Sequence, residues 1–393
     1  MGEALALGLG DNVDYEIEWD SVVLEGLVGE FRLADRELRP IRRIRSVREL
    51  VVSILGFMKA GVGGECHVDD LKVITDFSEK FRYKTTIGGT APRAAIAMSK
   101  IGIPSSVHLV TINDHIRELL PRDVAWTCSN DRDSSYPHLI VQFVKGARVA
   151  AGDIDVTAPI SSRIIYVNDL DNTMMKLEPR FFDRLRDTRA FLVSGFNAMH
   201  DSRALGERIG QLDGLLDKVP DAATIFYEDA CFHEEDLKQV ILDRLAGRFD
   251  VFSLNEDEMQ DYLKGRIDLL DAGAISKALE RLHAIIPVPT LIVHTRHWAL
   301  ASGKDCGRYE EAVKQGITMA TARFRFGDGF TKGDFARTGD LPEEPEGGEF
   351  ARKLNDIGGG KLCCLPSAAV EERNVTTIGL GDAFVGGFLS ALA

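Results

Sequence analysis

From about Ser162 onward, short apolar runs alternate with longer stretches of helical spacing. "RIIYVNDL", "AFLVSGFN", "ATIFYED", "DVFSLNEDE" and "TLIVHTRHWAL" are rich in Val, Ile, Phe and Tyr and read as buried strands of a core sheet. Between them, "EPRFFDRLRD", "ALGERIGQLDGLLDKV", "HEEDLKQVILDRLAG" and "ISKALERLHAII" carry apolar residues at helical spacing. In the third, Leu237, Val240, Ile241 and Leu245 share a face, acidic residues fill the first turn and Gly247 follows the last. Strands alternating with helices predict an α/β fold with a mainly parallel sheet covered on both sides. Such sheets keep their chemistry at the carboxyl ends of strands. Here Asn168, Asp169, Ser194, Asn197, Glu228, Asp229, Asn255, Glu258, His294 and Thr295 all fall at or just past a strand. Each alone is an ordinary cap or loop residue; the recurrence from strand to strand is the signal.

The first part of the chain has a different rhythm. "ALALGLGDNVDYEIEW" begins as an apolar strand and ends in a polar turn, and charged segments such as "RELRPIRRIRSVREL" precede a helical run, "LVVSILGFMKAG". "FRYKTTIGGTAPRAAIAMSKIG" returns to a strand, a double glycine and an Ala-rich helix, and "SSYPHLIVQFVKGARVAAG" alternates like two strands of an exposed sheet. The pattern predicts a smaller, discontinuous lid domain with its own β-sheet over 15–87 and 129–160, inserted into an α/β core made of 1–14, 88–128 and 161–393. "ARTGDLPEEPEGGEFARK" reads as a polar loop.

Composition narrows the picture. The chain has 393 residues, 45% hydrophobic and 27% charged, enough for one large domain and a smaller one. Its formal net charge of −14 argues against a general nucleic-acid or anionic-membrane binder. The six cysteines include no CxxC pair and read as reduced thiols. The beginning, "MGEALALGLGDNVDYEIEWD", lacks a basic leader, and no segment reaches the length of a membrane span, so a cytoplasmic location is expected. The basic run Arg39 to Arg48 reads as a solvated lid face.

Four short motifs carry candidate chemistry. In "TTIGLGDAFVGGF", Gly379, Leu380 and Gly381 form a tight turn whose N–H groups, with the dipole of the following helix, suit phosphate oxygens. Asp382 stands beside them, placed to take a proton from a hydroxyl attacking that phosphate. In "NEDE", Asn255 and Glu258 face one side of a helix start, either organising Mg²⁺ near phosphates or forming a capping box. Asn12 and Asp14 of "GDNVD" both face a polyol from a strand end. Gly88 and Gly89 of "IGGTAPRAAIAM" allow close backbone approach and a hinge between lid and core.

The order NxD, GG, NxxE, GxGD resembles the ribokinase-like sugar kinases, and more closely their ADP-dependent glucokinase and 6-phosphofructokinase branch. "MKAGVGGECHVDD", "TTIGGTAPRAAIAMSKIGI", "YPHLIVQF", "SSRIIYVNDLDN", "FLVSGFNAMHD", "LIVHTRHWALA" and "TTIGLGDAF" are all similar to segments of that branch, over nearly the whole chain. The resemblance implies a ribokinase-like three-layer α/β/α core with a lid. It implies a Mg²⁺-dependent kinase moving a phosphoryl group from ADP to glucose or fructose 6-phosphate. Asp382 would be the base and Gly379, Leu380 and Gly381 the anion hole. Asn12, Asp14, Glu65, Gly88, Gly89 and His138 would line the sugar site. Arg163, Asn255 and His294 would serve the nucleotide, and Glu258 with Glu228 the metal. Glu65 favours glucose; Lys145 and Arg148 would suit a 6-phosphate. Gln142 stands where the lid strand often carries Glu, and "AFVGG" after Asp382 is closer to ATP-dependent relatives. Two other readings follow: an ATP-dependent sugar or nucleoside kinase, and a silent nucleotide or sugar sensor on the same fold. No protein partner is required; a monomer or homodimer is expected.

Overall fold

The computed structural model describes residues 4–232, 235–371 and 376–393. Residues 1–3 of the expected core, His233 and Glu234 of one helical pattern, and the Asn374–Val375 pair before the glycine turn lie outside them. Nine strands form the large sheet. In spatial order they are Leu362–Pro366, Trp298–Gly303, Thr290–His294, Val251–Asn255, Thr224–Glu228, Ala190–Val193, Leu5–Leu7, Ser105–Leu109 and Val124–Cys128. Trp298–Gly303 runs antiparallel to both its neighbours; every other pairing is parallel.

Strand residues alternate between two cores, as the two-residue period of a pleated strand requires. Ala6, Phe191, Val193, Phe252 and Leu254 pack with Ser202–Leu216, Glu235–Leu245, Ala272–Ile285 and Pro345–Gly358 on one face. Leu5, Leu7, Ala190, Leu192 and Val251 pack with Thr90–Lys100, Glu310–Phe326 and Leu380–Ser390 on the other. The three-layer α/β/α expectation is met. Local sequence explains the helices: Ser202–Leu216 buries Leu205, Ile209, Leu212 and Leu216, spaced on one face. Its start is fixed by Asp201, whose carboxylate accepts from Ala204 N at 2.7 Å.

The smaller sheet has six strands, in the order Arg43–Ile44, Gly64–Val68, Ser162–Val167, His138–Phe143, Asn12–Ile17 and Tyr83–Gly88. One face is apolar: Ile17, Leu139, Val141, Phe143, Ile164, Tyr166, Cys66 and Val68 pack under Ser21–Glu30, Val47–Ala60 and Leu71–Ser78. The register puts polar residues on the opposite face. Asp14 lies across from Thr86 and His138, Arg163 from Gln142, and Ile165 from both Ile140 and Glu65.

Three elements differ from the sequence expectation. Ser162–Val167, read as a core-sheet strand, pairs in the smaller sheet, because it is apolar on one face only, with buried Ile164 and Tyr166 beside exposed Arg163. The two strands read in "SSYPHLIVQFVKGARVAAG" do not pair with each other: His138–Phe143 joins the six-stranded sheet, while Arg148–Ala151 forms a separate hairpin with Ile154–Thr157. The supposed loop "ARTGDLPEEPEGGEFARK" contains the start of the helix Pro345–Gly358. Pro345 opens that helix, the Glu344 carboxylate caps Gly347 N at 2.6 Å, and Phe350, Ala351 and Leu354 are buried at helical spacing.

Candidate active site

The glycine turn sits where the two sheets face each other. Gly379 adopts φ +66°, a left-handed conformation that suits glycine, and starts the helix Leu380–Ser390. The first helical bond is Ala383 N to Gly379 O at 3.0 Å. The N–H groups of Leu380, Gly381 and Asp382 therefore make no hydrogen bond among the described residues. Asp382 follows in the first turn with its side chain 23% exposed. Two arginines that the motif analysis did not single out flank the turn. Arg93 Nε lies 3.9 Å from Asp382 Oδ2, and Arg323 Nε donates to Ile378 O at 2.8 Å. Arg323 also pairs with Asp328 at 2.6 Å, and Lys84 of the smaller sheet reaches the same Asp328. Both arginines were visible in the sequence only as charges within otherwise apolar helical faces: Arg93 sits in "APRAAIAM" and is 7% exposed.

The residues expected at the sugar site come together on the polar face of the smaller sheet. Asn12 Nδ2 donates to Asp14 Oδ1 at 2.6 Å, and Arg93 Nη2 to Asp14 Oδ2 at 2.7 Å. Burial raises Asp14 above the usual carboxylate range, and Arg93 and His138 only partly oppose this. His138 Nδ1 is 3.9 Å from Asp14 Oδ1, and Nε2 is 3.0 Å from Asp169 Oδ2. Burial pulls the imidazolium down, but the Asp169 bond and charge, then Asp14 and Glu65, outweigh it, so the net direction is up. Asp169 is a further residue whose contact with the site a strand-end position alone did not reveal. Gly88 is required because a Cβ there would stand 2.6 Å from Asp14 Oδ2. Gly89 has φ +91°, and a Cβ would meet Gly10 O at 2.8 Å. Glu65 is half-buried on the same face, two strands from His138. Arg163 Nη1 crosses to Thr377 O at 3.2 Å, just before the glycine turn. Arg148 lies elsewhere: on the outer hairpin it forms a two-pronged pair with Asp155 at 2.7 and 2.8 Å.

The remaining residues gather at the carboxyl ends of the large sheet. His294 Nε2 is 3.1 Å from Glu228 Oε1, its ring stacks on Phe384 at 4.6 Å, and its Cε1 is 3.6 Å from where a Cβ on Gly381 would stand. Asn255 and Glu258 form both halves of a capping box: Asn255 Oδ1 accepts from Glu258 N at 3.1 Å, and Glu258 Oε2 from Asn255 N at 2.8 Å. Burial, then repulsion from Asp229 and Glu228, holds Glu258 well above the carboxylate range, and burial pushes Asp229 up to about 7. Glu228 Oε2 and Asp229 Oδ2 are buried without a hydrogen-bond partner. Among the described residues no three His, Cys, Asp or Glu side chains converge as a ready-made metal cage. A hydrated divalent cation needs only one or two carboxylates beside substrate phosphates. The crowded carboxylates of Glu228, Asp229 and Glu258, with partnerless oxygens on the first two, fit that demand.

The fold is shared with solved kinases. A hypothetical ADP-dependent phosphofructokinase from Pyrococcus horikoshii OT3 superposes with a TM-score of 0.76 at 18% identity, covering 100% of this chain and 98% of that one. A last common ancestor of ADP-dependent phosphofructokinases from Methanosarcinales gives 0.75 at 15% identity, covering 100% and 94%. An ADP-dependent kinase complexed with fructose-6-phosphate and ADPbetaS gives 0.72 at 13% identity, covering 95% and 97%. No curated protein matches the chain. No helix among the described residues is long and apolar enough to cross a membrane. The pattern described as ADP-specific Phosphofructokinase/Glucokinase conserved region matches residues 3–390, which bears out the resemblance read from the motif order: the chain belongs to the ADP-specific phosphofructokinase/glucokinase family.

Proposed function

We propose that the protein transfers the terminal phosphoryl group of ADP to a hydroxyl of a hexose, releasing AMP, with Asp382 as the base. One observation carries this reading: Asp382 stands in a helix first turn whose three N–H groups have no hydrogen bond among the described residues, and Arg93 joins it to the polar face that holds Asn12, Asp14 and His138. The hexose is held by Asn12, Asp14, Glu65 and His138, with the Gly88–Gly89 backbone close against it. Asp382 takes the proton of the attacking hydroxyl. The Gly379–Gly381 nest receives charge on the phosphoryl oxygens, in a site that the smaller sheet covers as a lid and closes to water. Arg163, Asn255 and His294 border the nucleotide. Glu228 and Glu258 would hold Mg²⁺, which when bound neutralises phosphate oxygens.

Glucose is the acceptor this face supports best. Asp14, Glu16 and Glu65 make it acidic, and Arg148 is held away on the outer hairpin. Fructose 6-phosphate is the second reading, favoured by Arg163 on the same face and by the fructose-6-phosphate bound to the similar kinase. The test crosses ADP and ATP against glucose, fructose 6-phosphate and a nucleoside. AMP formation with ADP and a hexose is expected; turnover with ATP alone would overturn the donor, and hexose binding without turnover would favour a sensor. Asp382→Asn should lower kcat by about 10²- to 10⁴-fold with hexose affinity retained. Near-wild-type turnover in that variant would remove Asp382 as the base.

A further inference from the structure

Arg93 lies between the sugar face and the anion turn, and its donors are divided in an informative way. Nη2 serves the sugar face, donating to Asp14 Oδ2 at 2.7 Å, Glu16 Oε1 at 3.3 Å and Thr86 Oγ1 at 3.4 Å. Nε faces Asp382 Oδ2 at 3.9 Å. Nη1 makes no hydrogen bond among the described residues, although the side chain is only 7% exposed. It stands 2.8 Å from the point a Cβ on Gly379 would occupy.

A guanidinium serving only as a structural ion pair would turn both terminal nitrogens to its carboxylates; Arg93 turns only Nη2 to them and leaves Nη1 beside the glycine turn. Here Nη1 and the N–H groups of Leu380, Gly381 and Asp382 are donors gathered round one turn, with no acceptor among the described residues. Donors gathered in this way repel one another, and an anion relieves the repulsion. Arg93 also keeps its charge: burial pulls it down, but Asp14, Asp382 and Glu16 more than compensate.

We propose that Arg93 is a catalytic residue that completes the anion hole, Nη1 donating to an oxygen of the phosphoryl group in transit while Nε holds Asp382 toward the acceptor hydroxyl. The proposal rests on the hexose-kinase reading for its chemistry. The hexose oxygen forms its bond to the β-phosphorus of ADP as the bond from that phosphorus to the bridging oxygen breaks. The electron pair leaves with AMP, and the hydroxyl proton passes to Asp382. Arg93 is not consumed; its fixed cation meets charge that develops only during transfer.

The test compares the full-length wild type with Arg93→Lys and Arg93→Ala by steady-state kinetics, thermal melting and titration with inorganic pyrophosphate. Arg93→Lys keeps a cation against Asp14 and is the variant most able to fold. Its kcat should fall about 10²- to 10³-fold with the hexose KM little changed, and pyrophosphate binding should weaken about tenfold or more. Added guanidinium at non-denaturing concentration should restore turnover of Arg93→Ala in a saturable way, which a loss of packing would not show. Unchanged kcat in Arg93→Lys, or a loss carried wholly by hexose KM without rescue, would overturn the proposal. If the wild type turns over no donor, the kinase reading fails separately, and pyrophosphate binding decides the anion role. Equal binding by wild type and Arg93→Lys, or none by the wild type, would overturn it.

Discussion

His138 shows how far one neighbour can set a residue's state. Its Nε2 meets Asp169 at 3.0 Å, while Asp169 also accepts from Asn172 N at 3.0 Å and Asn172 Nδ2 at 2.7 Å. Burial favours the neutral ring, yet Asp169 and its neighbours turn the net direction upward. A histidine raised in this way adds stability that is fully present below its unfolded value and is lost as pH rises through its folded value. Asp169→Asn should therefore move the His138 titration to lower pH, read from the imidazole carbon-bound proton by NMR. The stability difference from wild type should shrink as pH rises through the His138 range; a titration that stays in place would show that Asp169 does not set the ring's charge. Residues of this kind mark the limit of sequence reading. The left-handed turn at Gly379 and the place of Asp382 in the helix's first turn were legible because they depend on immediate neighbours in the chain. Arg93 reaches Asp14 across 79 positions and Asp169 reaches His138 across 31, so their partners exist only after folding.

At the scale of elements, the alternation of strands and helices was legible wherever a local cap agreed with the apolar period. Reading failed where a local signal pointed the other way. The glycines and prolines of "LPEEPEGGEF" look like a loop, but Pro345 begins a helix and Gly347 is needed because a Cβ there would stand 2.4 Å from the backbone oxygen of His297. Ser162–Val167 was legible as a strand but not as to its sheet, since sheet membership depends on pairing with distant segments. The helix Leu380–Ser390 offers a sharp test of its own start. Gly379→Ala would put an L side chain at φ +66°, costing about 1–2 kcal/mol, with its Cβ 2.8 Å from Arg93 Nη1 and 3.0 Å from Arg323 Nε. A modest drop in melting temperature is expected together with a loss of turnover on the order of 10²-fold or more. A variant equally destabilised but fully active would show that phosphoryl oxygens do not use this turn.

The whole molecule depends on how the chain passes from one sheet to the other. Residues 8–11 leave the large sheet after Leu7 and enter the smaller one at Asn12, leading into the strand Asn12–Ile17. The crossover is buried and pinned by Asp11, which is fully buried. Its Oδ1 accepts from Val110 N at 2.7 Å and Thr111 N at 2.9 Å, whereas Oδ2 has no partner. Burial raises Asp11 to about 8 despite those two bonds, and Asp169 and Asp171 add repulsion. The folded protein thus keeps a proton on Asp11 between its ordinary 3.8 and about 8, where the unfolded chain has lost it. By linkage, stability falls as pH rises through that window, by at most about 1.4 kcal/mol per pH unit from this group. Asn at this position keeps an oxygen for Val110 and Thr111, and its amide can donate toward the carboxylates that repel Asp11. The denaturant-measured stability of Asp11→Asn relative to wild type should therefore rise steadily from about pH 5 to about pH 8. Parallel stability curves for the two proteins across that range would mean that Asp11 is ionised in the fold, and that the junction between the sheets holds its charge by a contact other than those seen here.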